Sequence, residues 1–245
     1  MKIRLPELED YKWFPAFLRK MQLDYIGWLV DFFGIYKSIF PLIERLSESV
    51  QQKNWVDLCA GSGNPTIGIS SALSYDYKIM LTDLYPTNIP LKSSNINWYP
   101  NAVDATKAIS LNGFRTMFNA FHHFDDHQKN MILKNHAQHG LFIAEILQPS
   151  LFELIKIAIT TTIGQIIFRP FVRPFSWMGI IFTYFIPINL FTVTWDGMAS
   201  VLKSSSTSEL KTLAERALPD GFQIEIGRSG KFGMKVNYLL IIPIK

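Results

Sequence analysis

The sequence predicts an open α/β sheet, mostly parallel, with helices on both faces. Three observations carry that prediction. Between residues 50 and 147, short apolar runs near 54–58, 79–83, 97–103, 114–119 and 140–146 alternate with helical patterns, which implies parallel strands joined by crossover helices. The first run ends in Asp57-Leu58-Cys59-Ala60-Gly61-Ser62-Gly63, an acid followed by two glycines where a chain must turn tightly and let a ligand approach its backbone. The tail closes with two further strand patterns after Gly221-Phe222, ending in Tyr238-Leu239-Leu240-Ile241-Ile242-Pro243. Five strands and two make seven.

A helix-like apolar pattern follows the glycines from Ile67. The second run, Ile79-Met80-Leu81-Thr82, ends in Asp83, roughly 20 residues past the glycines, where an acid accepts hydrogen bonds from ribose hydroxyls. Val103-Asp104-Ala105 falls at the next expected strand end, where an acid can meet the exocyclic amine of adenine. A nicotinamide dinucleotide shares this logic but prefers Gly-x-Gly-x-x-Gly. Here Pro65 and Thr66 follow Gly63, and Gly68 comes too late, which favours a nucleoside with no pyrophosphate to cradle.

The loop from Asp57 to Gly63, together with Asp83, Asp104 and the Phe114–Phe124 block containing Asn119, His122 and His123, resembles the class I S-adenosylmethionine (SAM) dependent methyltransferases. The likeness covers about residues 50–147. The tail agrees: Thr207-Ser208-Glu209-Leu210 opens a helix with a capping signature. The whole chain is similar to a bacterial subgroup of methyltransferase-like proteins, a resemblance that implies a cofactor and supplies no acceptor. It implies a Rossmann-like seven-stranded, mostly parallel sheet. Carried over position by position, it implies SAM contacts from Asp57, Cys59, Gly61 and Gly63 along the methionine part and ribose edge. Asp83 and Leu84 would serve the ribose, Asp104 and Ala105 the adenine, and Asn119 the end of the fourth strand.

Methyl transfer from SAM needs alignment and, for hydroxyl or amine acceptors, a base. His122 and His123, just past the fourth strand, and Glu145, at the tip of the fifth, are the candidates. As neighbours, only one of the two histidines is expected to face the site. His127, His136 and His139 fall in a polar helical stretch and are expected at the solvated surface. No grouping offers a metal site at ligand spacing. Asn119-Ala120-Phe121-His122 departs from the Asn/Asp-Pro-Pro-Tyr motif of amine methyltransferases, which argues against that mechanism.

The flanking segments set the domain plan. Residues 1–49 form an N-terminal helical lid, with Trp13, Phe17, Leu18, Met21, Tyr25, Trp28, Leu29 and Phe32 at helical spacing and a second pattern from Tyr36 to Val50. Residues 50–147 are the SAM-binding core, 148–206 an apolar, mainly helical insertion after strand 5, and 207–245 a C-terminal helix and β-hairpin. The insertion explains a composition of 48% hydrophobic and 18% charged residues and a mean hydropathy of +0.13. Ile157–Phe168 and Pro174–Trp195 carry no charge, and the prolines of Arg169–Phe175 interrupt them. Three readings stay open: a cap over an apolar pocket, a hairpin dipping into a membrane surface, and a spanning helix. Trp13, Tyr25, Tyr184 and Trp195 are candidate walls of a substrate pocket, and Trp195-Asp196-Gly197 a turn that could return an acid to it.

The net charge of +4, spread without basic runs, argues against a nucleic-acid partner. A single cysteine suits a reducing compartment, and the start of the chain does not have the pattern of a signal peptide. The expectation is a cytoplasmic enzyme, with contact to a membrane surface as an open option, acting on a small apolar or amphiphilic molecule. Oligomeric state is not legible. Two rivals stand beside methyl transfer: intramolecular displacement that cyclises SAM and releases methylthioadenosine, and a non-catalytic SAM-binding or membrane-docking role.

Overall fold

The computed structural model describes residues 5–73, 76–86, 90–91, 93–231 and 233–244. The chain forms two compact units, one of Met1–Gly34 with Leu147–Ser204 and the other of Ile35–Ile146 with Ser205–Lys245. This differs from the domain plan above. The expected N-terminal segment of 1–49 divides at Gly34: its first helix packs with the 147–204 segment, and residues 35–50 belong to the sheet.

In the sheet unit, β1 (Asn54–Leu58), β2 (Lys78–Leu81), β3 (Ile96–Trp98), β4 (Phe114–Phe118) and β5 (Leu141–Glu145) are joined by β6 (Phe222–Lys231) and β7 (Met234–Pro243) in the order β3-β2-β1-β4-β5-β7-β6. The first five pair in parallel, while β7 runs antiparallel to both β5 and β6. Strand 3 ends at Trp98 rather than near 103. Pro100, two residues on, has no N–H to continue a ladder. Asp104 therefore lies in a loop, which the Val103 N–H ties to the Asp83 carbonyl at 2.8 Å.

Alternation along the strands sends side chains to two layers. Val56, Leu58, Met117, Ile143, Leu239 and Ile241 form one buried cluster with Ile132 and Leu133 of α4 (Asp126–His136) and Leu210 and Ala214 of α8 (Thr207–Ala217). Residues of the opposite parity, Trp55 and Phe114, stack at 5.6 Å, and Tyr36 meets Phe118 edge-on at 5.4 Å. α2 (Phe40–Val50) follows a 3₁₀ turn at Ile35–Ile39, and α3 (Thr66–Ala72) follows the glycine loop. Capping boxes start α4 at Asp125/Gln128 and α8 at Ser206/Glu209.

The helical unit contains α1 (Ala16–Phe33), α5 (Leu151–Phe168), α6 (Trp177–Tyr184) and α7 (Ile188–Lys203). Ser150 and Ser176 cap α5 and α6, while α6 and α7 meet at 84° across the Phe185–Pro187 break. Polar contacts tie the helices together. The Tyr25 hydroxyl donates to the Thr160 carbonyl at 2.6 Å, and Thr161 Oγ1 donates to Thr194 Oγ1 at 3.0 Å. Asp196 accepts from Leu8 N, Glu9 N and Gln22 Nε2 at 2.5, 3.2 and 2.7 Å.

Candidate active site

Asp57, the last polar residue of β1, is buried, and both of its oxygens are taken. Thr66 at the start of α3 donates to Oδ2 at 2.5 Å, and Thr116 of β4 donates to Oδ1 at 2.6 Å. Trp55 Nε1 donates in turn to Thr116 Oγ1 at 2.6 Å, and Thr82 Oγ1 donates to the Asp57 carbonyl at 2.8 Å. Burial pushes the Asp57 carboxyl up to about 7; the two threonine hydroxyls pull it down and the Asp83 charge adds to the rise. These bonds make Asp57 a strut that anchors the glycine loop to α3 and β4. Thr66 and Thr116 escaped the sequence reading because a threonine has no motif of its own until its partner is known.

The loop itself turns through left-handed backbone at Cys59, Gly61 and Gly63, with φ of 57°, 55° and 87°. At Gly63 an added Cβ would stand 2.6 Å from Ile67 Cδ1, whereas at Gly61 it would meet no atom within 4 Å. Gly61 therefore opens on space a ligand can use, and its N–H donates to Asp83 Oδ2 at 2.9 Å. The other Asp83 oxygen accepts from Tyr85 N at 2.9 Å, and Leu84 beside it is exposed. Asp104 folds back on Thr106, taking bonds from its N–H at 3.0 Å and its hydroxyl at 2.6 Å. Those bonds, the Thr106 hydroxyl foremost, hold its carboxyl below the usual range against partial burial, with help from Lys107.

Cys59 sits among these acids. Burial first, then the charges of Asp83, Asp57 and Asp104, push its thiol far up, so it stays a neutral thiol and no nucleophile. The loop after β3 is pinned from α4: His136 Nε2 meets the Ala105 carbonyl at 2.8 Å, and Asn135 Nδ2 donates to the Thr106 carbonyl at 2.7 Å. His136 is fully buried, which corrects its expected place at the surface. Burial lowers it to about 4, against the opposing pull of the Ala105 bond.

At the ends of β4 and β5 the sequence candidates join. His122 Nδ1 lies 2.6 Å from Glu145 Oε2, and Glu145 Oε1 accepts from Phe121 N at 2.7 Å. Both side chains are buried. Burial alone would raise the Glu145 carboxyl, but the His122 charge and hydrogen bond, the Phe121 N–H and His123 bring it below its ordinary value. Each of its oxygens is thus engaged, one by Phe121 N and one by His122 Nδ1. His122 meets Glu145 through Nδ1, and Nε2 is its other ring nitrogen. His123 is not turned to the opposite face as expected: Phe121–His123 is a 3₁₀ turn, and the two rings lie side by side at 4.4 Å. Asn119, in left-handed backbone at φ 49°, uses its side-chain carbonyl to hold Ile146 N at 2.8 Å. It thereby clamps the ends of β4 and β5 together. Tyr36, also missed, is buried with a hydroxyl that has no hydrogen-bond partner among the described residues. Burial, then the Glu145 and Asp57 charges, raise it well above the usual phenol value, so it stands near both acids.

The four substrate-wall candidates belong to the helical unit. Tyr25 and Tyr184 donate to the Thr160 and Ile166 carbonyls, and Trp195 Nε1 donates to the Pro6 carbonyl at 3.0 Å. Trp13 is exposed and stacks on Tyr11 at 5.5 Å. Trp195-Asp196-Gly197 is not a turn: it lies inside α7, and Asp196 caps the Leu8–Glu9 backbone.

No family model and no curated protein matches the chain. Among solved structures, the methyltransferase domain of bacterial CtHen1 matches at 13% identity over 85% of this chain and 99% of that one, with a TM-score of 0.50. Human N-acetylserotonin methyltransferase, solved with SAM, matches at 13% identity over 94% of this chain and 55% of its own, with a TM-score of 0.48. LepI, solved with SAM, matches at 18% identity over 78% of this chain, with a TM-score of 0.44, and this chain spans 42% of it. The fold is that of the class I SAM-dependent methyltransferases.

The His136 contact predicts a pH dependence. The group is depressed from 6.5 to about 4 on folding, so its contribution is complete above pH 6.5 and is lost as the pH falls towards 4. Over that window the melting temperature of the parent should fall relative to His136→Gln, by an amount equivalent to on the order of 2–3 kcal/mol. The opposite slope from Asp57 is common to both proteins and cancels in the comparison. Parallel melting curves across the window would remove the buried, neutral His136 from the account.

Proposed function

We propose that this protein is a SAM-dependent methyltransferase that acts on a small apolar or amphiphilic acceptor. The observation that carries the reading is the acidic setting of the glycine loop: Asp83 accepts from Gly61 N–H, and the loop carrying Asp104 is tied to the Asp83 carbonyl through Val103 N–H. Asp83 and Asp104 repel a dinucleotide pyrophosphate and attract a sulfonium cation. The open space at Gly61 and the unpartnered hydroxyl of Tyr36 fit a bound nucleoside whose polar groups complete that cradle. In this reading Asp83 receives the ribose hydroxyls, the Asp104–Ala105 loop the adenine, and Tyr36 a polar atom of the ligand. The apolar 148–206 segment and the absence of basic runs support an apolar or amphiphilic acceptor over a nucleic acid.

Bound SAM supplies a methyl group already activated on sulfur, and the chain's own residues then need only align and deprotonate the acceptor. His122 Nε2 takes the acceptor's proton. Glu145 holds the ring by Nδ1 and stabilises the imidazolium that forms, while Phe121 N and the Asn119–Ile146 clamp hold Glu145 and the β5 end in register.

Calorimetric titration tests the cofactor cradle. Asp83→Ala should weaken SAM binding by about 2 kcal/mol, roughly 30-fold, as charge-assisted bonds are lost. Tyr36→Phe should weaken it several-fold without lowering the melting temperature, because it removes a hydroxyl that the unliganded protein leaves unpaired. Normal SAM affinity in Asp83→Ala would sink the cradle.

Mass spectrometry of nucleoside products, with SAM and a small-molecule extract of the source cells, tests the reaction. S-adenosylhomocysteine that depends on extract is expected. His122→Ala should lower kcat by 10²–10⁴-fold with SAM affinity retained, and Glu145→Gln should lower it less and shift its pH profile. Methylthioadenosine formed from SAM alone would replace methyl transfer with cyclisation of SAM.

A further inference from the structure

We propose that α5–α7 of the helical unit are inserted in a lipid bilayer and that acyl chains cover their outer surface. On α5 and α7 polar residues are turned inward and an apolar stripe outward, the reverse of a surface helix in water. On α5 the buried residues are Glu153, Thr161 and Gln165, while Ile155, Ile159, Ile163 and Ile166 form an exposed stripe. On α7 the inward positions include Asn189, Thr192, Asp196 and Ser200, and the outward stripe is Ile188, Phe191, Trp195 and Met198. A surface helix in water shows the opposite arrangement, apolar inward and polar outward. The sheet unit obeys that rule. Among the described residues, its exposed large hydrophobics are Leu84, Tyr85 and Ile244, and every other one lies in the helical unit.

Length points to the same occupant. Leu151–Phe171 is a 21-residue span, and an 18-residue window within it has a mean hydropathy of 1.6 with only 17% of its residues buried. At 1.5 Å per residue the span measures about 31 Å, the thickness of a hydrocarbon core. The chain returns through α6 and α7, a bent pair that is also apolar enough when taken together. The connection between the two arms carries the groups found at headgroup depth. Arg173 is exposed, its guanidinium lies 6.0 Å from the Phe175 ring, and Trp177 beyond it is 72% exposed. A cation beside interfacial aromatics meets anionic headgroups there.

Hydroxyls along α5 are satisfied within the helix itself. Thr160, Thr161 and Thr162 return their hydroxyls to carbonyls of the preceding turn. Helices also approach at small residues: a Cβ on Gly197 would lie 2.7 Å from Ile157 Cγ2, and one on Gly164 would lie 3.1 Å from the Tyr25 hydroxyl. A second copy of the chain would cover one self-complementary face. It would not account for polar residues turned inward on the same helices.

The test is independent of SAM chemistry and uses the full chain. Membranes from expressing cells are washed with high salt, then with alkaline carbonate, and the remainder is extracted with detergent. The protein should stay in the pellet through both washes and be released only by detergent. Purified protein reconstituted in phosphatidylcholine–phosphatidylglycerol vesicles should float with them. Ile159→Glu and Ile163→Glu, on the α5 stripe, should each lower the floating fraction at least about tenfold, while Ile244→Glu on the sheet unit leaves it unchanged. Release by salt or carbonate would overturn insertion. So would recovery without detergent as a monodisperse dimer, which would assign the stripes to a second copy. Vesicle flotation of the parent protein settles the matter even if a glutamate variant does not fold.

Discussion

Everything at the carboxyl edge of this sheet depends on one buried carboxylate. Asp57 takes a hydroxyl from α3 through Thr66 and another from β4 through Thr116, and its own carbonyl takes a third from Thr82 beyond β2. Three elements are thereby fixed to the end of β1 before any ligand arrives. Such a group costs free energy to bury, and it is tolerated because both oxygens are satisfied. Its elevated carboxyl value shows that burial outweighs the hydroxyls. The glycine loop that follows is consequently a rigid platform, shaped for binding in advance of the ligand.

A rigid loop determines where the neighbouring charges stand. Asp83 bonds Gly61 N–H, Val103 N–H bonds the Asp83 carbonyl, and His136 with Asn135 holds the loop that carries Asp104. The chain of contacts runs from Asp57 through the glycine loop to the acid after β2 and then to the acid after β3. Because each link is a hydrogen bond to backbone, the acids keep their geometry while their side chains remain partly open. Preorganised charge of this kind is worth more to a cationic ligand than the same charges on mobile loops.

Much of this plan was legible in the sequence, for physical reasons that differ by feature. The parallel strands, the glycine loop and the acids at the ends of β1 and β2 are local patterns that appear where the sequence places them, whereas among the described residues no helix stands between β2 and β3 or between β3 and β4, where strict alternation calls for one. What was not legible lies in pairings across the chain. Thr116 is 59 positions from Asp57, and Glu145 is 23 from His122. No local pattern shows that Asp57 and Asn119 spend their polar atoms inside the protein, or that Glu145 serves His122. The short β3 is a further departure: the apolar pattern runs to 103, and the strand ends at Trp98, two residues before Pro100.

The apolar insertion shows the same limit from the other side. Its periodic isoleucines and aromatics are compatible with a core, a cap or a lipid-facing surface, because an apolar stripe at helical spacing looks identical whichever way it faces. Direction is a property of packing, and packing turns Thr161, Gln165, Asn189 and Asp196 inward. Once those polar side chains occupy the interior, the isoleucine stripe has only the outside left to it. The bilayer proposed for this segment is a medium in which that stripe carries no cost for its apolar area.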